Sequence, residues 1–208
     1  MALPRSLPDR PGLLIADTSV VININATGRA ETILRALPHR LTVVDVVVDE
    51  INGGVRKGRQ DAATVSQLID SGLIEVVALG PRGLSHFENL AIGSSGGTLD
   101  DGEAATIAFA ADVGACALIE ERKARRVAAH QYPTVPLGCT VDLLKNVGVE
   151  RALGVRGTAE ALFNALTIAR MRVLPHHIGW VVSMIGDERA ARCPCLPDAV
   201  RRQALARL

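Results

Sequence analysis

Short apolar runs alternate with helical spacing along the first two thirds of the chain, and this alternation constrains the fold more than any other feature. The runs are 12–16 (GLLIA), 41–45 (LTVVD), 74–78 (IEVVA), 115–119 (ACALI) and 134–137 (TVPL). Each has the length of a strand rather than of a helix. Helical patterns fill the gaps, at about 18–26, 29–37, 47–54, 59–71, 83–92, 101–113 and 121–130. Strands alternating with helices build βαβ units, so an α/β fold with a parallel sheet and right-handed crossovers is expected. Gly72 and Gly114 stand where a helix has to stop before the next strand.

After residue 138 the pattern turns helical, near 140–147, 157–170 and 175–188, and "DAVRRQALARL" reads as a short basic helix at the end. The expected organisation is an α/β domain over 1–150 and a helical extension over 151–208. That extension either caps the domain or completes its core.

An acid follows the first run directly: Asp17, in "LLIADTSVV". An ionised carboxylate at the end of a buried strand is costly to desolvate unless a helix N-terminus, a basic side chain or a metal ion compensates it. Other acids also fall at element boundaries. Glu50 ("VVVDEING") lies in the helix after the second strand, and Glu103 ("LDDGEAATIAFA") in the first turn of the helix before the fourth. Glu120 and Glu121 ("ALIEERKAR") leave the fourth strand. In an open parallel sheet the ends of strands one and four can be neighbours where ligands bind, which would join Asp17 to the Glu120–Glu121 pair.

Singly, each acid has an ordinary use. Asp17, Asp100 and Glu103 suit helix caps, Glu50 a surface position, and Glu120 and Glu121 pairs with Lys123 or Arg125. Together they are harder to explain. Two carboxylates about 5 Å apart repel by roughly 3 kcal/mol at an effective dielectric near 20. Oxygen ligands alone favour Mg²⁺ or Mn²⁺ over zinc as the compensating ion.

Composition narrows the function. Aromatic residues make up only 2%, which argues against nucleic-acid binding on stacked aromatic platforms. The net charge of +1 hides a polarity: residues 1–150 carry 14 Lys+Arg against 18 Asp+Glu, and 151–208 carry 9 against 4. Cys116 and Cys139 sit in apolar surroundings and read as small buried hydrophobes. "CPC" at 193–195 is spaced more tightly than the usual zinc pairs, and joining it to His176 and His177 is the metal reading open to it. No run suits a membrane span and the first residues lack a signal core, so a cytoplasmic protein with reduced thiols is expected.

Four segments together resemble a PIN domain: "LLIADTSVVINI", "VVVDEI", "LDDGEAATIAFAADVGACALIEERKARRVA" and "VPLGCTVDLL". The resemblance covers about residues 12–146 and is nearest to the bacterial branch with a GE-x-x-A-I-x-(L/F)-A helix. It implies a three-layer α/β/α fold with a five-stranded parallel sheet in the order 3-2-1-4-5. It also implies a Mg²⁺- or Mn²⁺-dependent ribonuclease site made of Asp17, Glu50, Glu103 and one of Glu120 or Glu121. Ser19 matches the family's hydroxyl after the first acid. Relatives in this branch carry aspartates after strand four where this chain has glutamates. A PIN-like module that binds RNA or protein without cutting therefore stays open as the alternative.

The implied chemistry is phosphodiester hydrolysis by a metal-activated water. The run "RKARR", Arg122 to Arg126, follows the acids, where it either holds RNA phosphates or forms a solvated face, with Arg125 also suited to pair with an acid. Expected partners are RNA, an antitoxin protein that blocks the site as in toxin-type relatives, and a second copy of the chain. A phosphatase using Asp17 as nucleophile is disfavoured, because "DTS" lacks a second Asp two positions on.

Overall fold

In the computed structural model, which describes residues 7–55, 61–92 and 98–208, five strands form one all-parallel sheet in the order β3-β2-β1-β4-β5. The strands are β1 (Leu13–Ala16), β2 (Arg40–Val44), β3 (Ile74–Val77), β4 (Cys116–Leu118) and β5 (Leu137–Gly138). The first residues of the helix expected from 59 and the glycine-rich stretch 93–97 lie outside the described residues.

Strand side chains alternate between faces, and this makes the layers. Leu14 and Ala16 of β1 join Leu41, Val43, Cys116 and Leu118 on one face, while Ile15 joins Val44, Ala117 and Ile119 on the other. The first face is covered by α1 (Thr18–Ala26), α2 (Ala30–Ala36), α3 (Asp45–Val55) and α4 (Asp61–Asp70), through Val20, Ile33, Val47 and Val65. The second is covered by α5 (Pro81–Ala91), α6 (Asp101–Val113) and α7 (Arg122–Gln131), through Leu90, Ile107 and Ala128. The fold is therefore α/β with a parallel sheet, as the spacing implied, and in three layers, as the resemblance implied. The chain goes on through α8 (Thr140–Leu144), α9 (Val147–Ile168), α10 (Ile178–Ile185), α11 (Asp187–Ala191) and α12 (Asp198–Leu205). Leu162 and Leu166 of α9 and Val181 and Ile185 of α10 belong to the same buried cluster as Leu14. Among the described residues no helix is long and apolar enough to cross a membrane.

Several boundaries differ from those expected, and these three differ most. The last strand is Leu137–Gly138 instead of 134–137. Pro133 and Pro136 have no N–H to give a ladder, and Pro136 contributes only its carbonyl, to the Ala117 amide at 2.9 Å. The helix expected over 157–170 begins at Val147 and carries a kink at Gly154. The helix expected over 175–188 is split into a 3₁₀ turn (Pro175–His177), α10 and α11, with the last break at Gly186 (φ 83°).

For function, the central register matters most. Asp17 N–H donates to the Leu118 carbonyl at 3.2 Å, tying the carboxyl end of β1 to that of β4. The residues that follow these two strands are therefore neighbours at the point where the sheet order reverses.

Candidate active site

Asp17 opens α1 as its N-cap: Oδ1 accepts from the Val20 amide at 2.7 Å. The cap uses one oxygen only. Oδ2 is buried and has no hydrogen-bond partner among the described residues, in a side chain whose residue is 1% exposed. Burial pushes this carboxyl well above the usual range against the Val20 bond, and Glu120 and Glu103 nearby push it further.

Glu120 leaves β4 beside it and is 4% exposed. Its Oε1 accepts from the Thr140 amide at 2.8 Å and from Asn23 Nδ2 at 3.3 Å, while Oε2 is buried without a partner among the described residues. Burial raises this carboxyl too, although the bonds from Thr140 and Asn23 oppose it. Glu103, in the first turn of α6, is pushed up to about 7 by burial and then by Asp100 and Glu121, with Lys123 acting the other way.

Glu50 reaches the group from α3. Its Oε2 accepts from the Thr18 hydroxyl and its Oε1 from the Gly102 amide at 2.8 Å, which ties α1, α3 and α6 together. Ser19 is exposed and lines the cleft; the hydroxyl that holds a carboxylate belongs to its neighbour Thr18. Glu121 forms an ion pair with Arg172. Arg125 pairs with no acid among the described residues: its guanidinium donates to the carbonyls of Ile119 (3.0 Å) and Gly138 (2.7 Å), stitching the ends of β4 and β5. That engagement takes it out of the set of free phosphate ligands.

The acids border two hollows that share Thr18, Ser19, Asp100 and Glu103. One, of about 730 Å³, is also lined by Asp17 and Glu50. The other, of about 490 Å³, is also lined by Glu120, Glu121, Lys123, Arg170 and Arg172. Asp17, Glu50, Glu103 and Glu120 thus gather at one cleft. The donors are all oxygens, two buried carboxylate oxygens lack partners, and Asp17, Glu103 and Glu120 resist ionisation where they stand. In its donor chemistry this set fits a hard divalent cation, while the acids' oxygens, taken three together, stand farther apart than the 4.8 Å within which Cys139, Asp142 and His177 meet.

Sequence reasoning missed Thr18, Asn23, Thr140, Arg170 and Arg172. A signal existed for Thr140: its helix starts right after β5 at the same sheet edge, and the first amides of a helix need acceptors. None existed for the two arginines, which arrive from about fifty residues further on. Among the described residues "CPC" does not gather with His176 and His177. Cys193 is buried among apolar residues, the Cys195 thiol donates to the Leu166 carbonyl at 3.1 Å, and all four cysteines are free. His177 instead meets Cys139 and Asp142, a group with sulfur and nitrogen donors unlike the acid cleft.

A family model described as a PIN domain (DUF3368) matches residues 13–187. No curated protein and no solved structure matches the chain. PIN domains are generally nucleases that use divalent metals, and the match runs from β1 into α11, across every acid of the cleft. Sheet order, clustered acids and family match agree, and the chain belongs to the PIN domain family.

Proposed function

We propose that the chain is a ribonuclease that hydrolyses RNA phosphodiester bonds with Mg²⁺ or Mn²⁺ held in the acid cleft. The observation that carries this reading is the pair of orphaned buried oxygens, Asp17 Oδ2 and Glu120 Oε2, at the adjoining ends of β1 and β4. A divalent cation, when bound, lowers the pKa of water and offsets charge on the reacting phosphate.

The chain's own groups have distinct tasks. Asp17 and Glu120 present their free oxygens from positions fixed by the Val20 and Thr140 amides. Glu103, poised at about 7, completes the ligand set or exchanges a proton near neutrality. Glu50 holds Thr18 and the start of α6 in place. Of the two adjacent glutamates, Glu120 is the ligand and Glu121 is neutralised by Arg172. Lys123 and Arg170 at the same cleft supply positive charge for the phosphate backbone.

The test is cleavage of single-stranded RNA. Cutting is expected with Mn²⁺ or Mg²⁺, is abolished by a chelator, and falls more than about 100-fold in Asp17→Asn. RNA affinity indifferent to both chelation and that substitution, with no cleavage, would instead establish a binding module. The finer setting, a toxin held by an antitoxin, predicts growth arrest on expression of the wild type and not of Asp17→Asn.

A further inference from the structure

One residue before Thr140, whose amide holds Glu120, the chain builds a second convergent group. Cys139, Asp142 and His177 are all buried, and their ligand atoms lie within 4.8 Å of one another. Asp142 Oδ2 accepts from the Cys139 amide (3.0 Å) and faces the Cys139 sulfur (3.2 Å). Its Oδ1 lies 3.0 Å from His177 Nε2. That last contact lacks hydrogen-bond alignment: neither ring nitrogen of His177 has a partner in line among the described residues, although the residue is 3% exposed. A buried imidazole with both nitrogens unsatisfied is costly and calls for a partner.

We propose that Cys139, Asp142 and His177 form a binding site for a thiophilic divalent cation of the zinc type, separate from the acid cleft. Zinc bonds of about 2.0–2.3 Å set tetrahedral edges of roughly 3.4–3.6 Å between ligands. The sulfur lies 3.2 Å from Oδ2 and the imidazole 3.0 Å from Oδ1, so a cation seats once both move outward and the carboxylate turns to present one oxygen to it. One thiolate and one carboxylate neutralise a dication, which removes the charge that burial forbids; the thiol proton leaves to solvent on binding. Sulfur and imidazole donors select zinc over Mg²⁺. The bond from the Cys139 amide to Asp142 steadies the carboxylate from behind, the role such partners play around metal sites. Asp142 also lines a hollow of about 520 Å³ with Lys145 and Asn146, the side from which an ion would reach the group. The ion would pin the start of α8 to the 3₁₀ turn ahead of α10, and with it the Thr140 amide that orients Glu120.

The test uses the full chain stripped of metal and supplied with Zn²⁺ or Co²⁺ alone. In Asp17→Asn, whose acid cleft has lost its first ligand, one equivalent is expected to bind. X-ray absorption of the zinc form should show one sulfur at about 2.3 Å with nitrogen and oxygen at about 2.0–2.2 Å. The cobalt form should show a thiolate charge-transfer band that Cys139→Ala removes and that Cys193→Ala and Asp17→Asn retain. No binding, a metal shell without sulfur, or a band that survives Cys139→Ala overturns the proposal. If Cys139→Ala does not fold, a band retained in Cys116→Ala, Cys193→Ala and Cys195→Ala assigns it to Cys139, the one thiol left. Because RNA cleavage is read with Mg²⁺ or Mn²⁺, this result and the nuclease result stand or fall separately.

Discussion

Gly102 is where the cleft leaves no room for a side chain. A Cβ built there would lie 2.5 Å from Glu50 Oε2 and 2.9 Å from the Thr18 hydroxyl, while the glycine's own amide holds Glu50 Oε1. Gly102→Ala therefore has to displace the Glu50 carboxylate. That group is the far end of a flexible side chain, and alanine favours a helix over glycine by about 1 kcal/mol, so the fold itself should lose little. Expected is a melting temperature within a few degrees of wild type, with RNA cleavage down about tenfold or more. Parallel melts and rate measurements separate the effects; an unchanged rate would remove Glu50 from the working site. The sequence made Asp17 and Glu103 legible because each stands at an element boundary, and Glu50, in the middle of α3, only through the resemblance. It could not choose between Glu120 and Glu121. Adjacent residues leaving a strand point opposite ways, and the choice depends on where β4 ends. That end is set by bonds to other strands, from Asp17 to Leu118 and from Ile119 to Gly138.

Elements were legible where punctuation is local. Gly72 and Gly114 adopt left-handed conformations (φ 71° and 68°) where α4 and α6 give way to β3 and β4, a stop that glycine makes without strain. Boundaries failed where a distant partner decides, as at β5, whose ladder pairs only with β4. The place of α9 belongs to this second kind. Its apolar spacing showed a buried face but not what buries it, and the helix packs against α1 and α2, in the cluster that holds Leu14. Leu162 is fully buried there. Leu162→Ala should cost about 3 kcal/mol, and the melting temperature of a chain this size should fall by about 6–12 °C. The control Val155→Ala, at a side chain 79% exposed on the same helix, should leave it unchanged. If Leu162→Ala melts like wild type, the helices beyond 150 are an appendage and not part of the working core.

For the whole molecule, the cleft makes stability depend on pH and on metal together. Asp17, Glu103 and Glu120 all have folded pKa values raised by burial, so the folded chain holds protons that the unfolded chain has released. Stability then falls as pH rises from the ordinary carboxylate range, and for Glu103 the window runs from 4.5 to about 7. His39 and His176 work the other way: burial lowers both, so each favours the folded state as pH rises through the histidine range. Both act only in the upper part of the window, and His176 is exposed, so the carboxyls dominate. Asp142 is held low by His177 and Cys139 against its burial, so its contribution is already complete below the window. Without metal, the melting temperature should drop by about 2–6 °C between about pH 4.5 and about pH 7. Mn²⁺ binds the ionised carboxylates, so adding it should raise the curve most at the alkaline end and flatten it. Asp17→Asn and Glu103→Gln should flatten it without metal, because neither replacement has a proton to release. Calorimetry across the pH series, with chelator and then with Mn²⁺, reads all of this. A flat curve in chelator would mean that the acids ionise freely where they stand, and the cleft would then have no need of a cation.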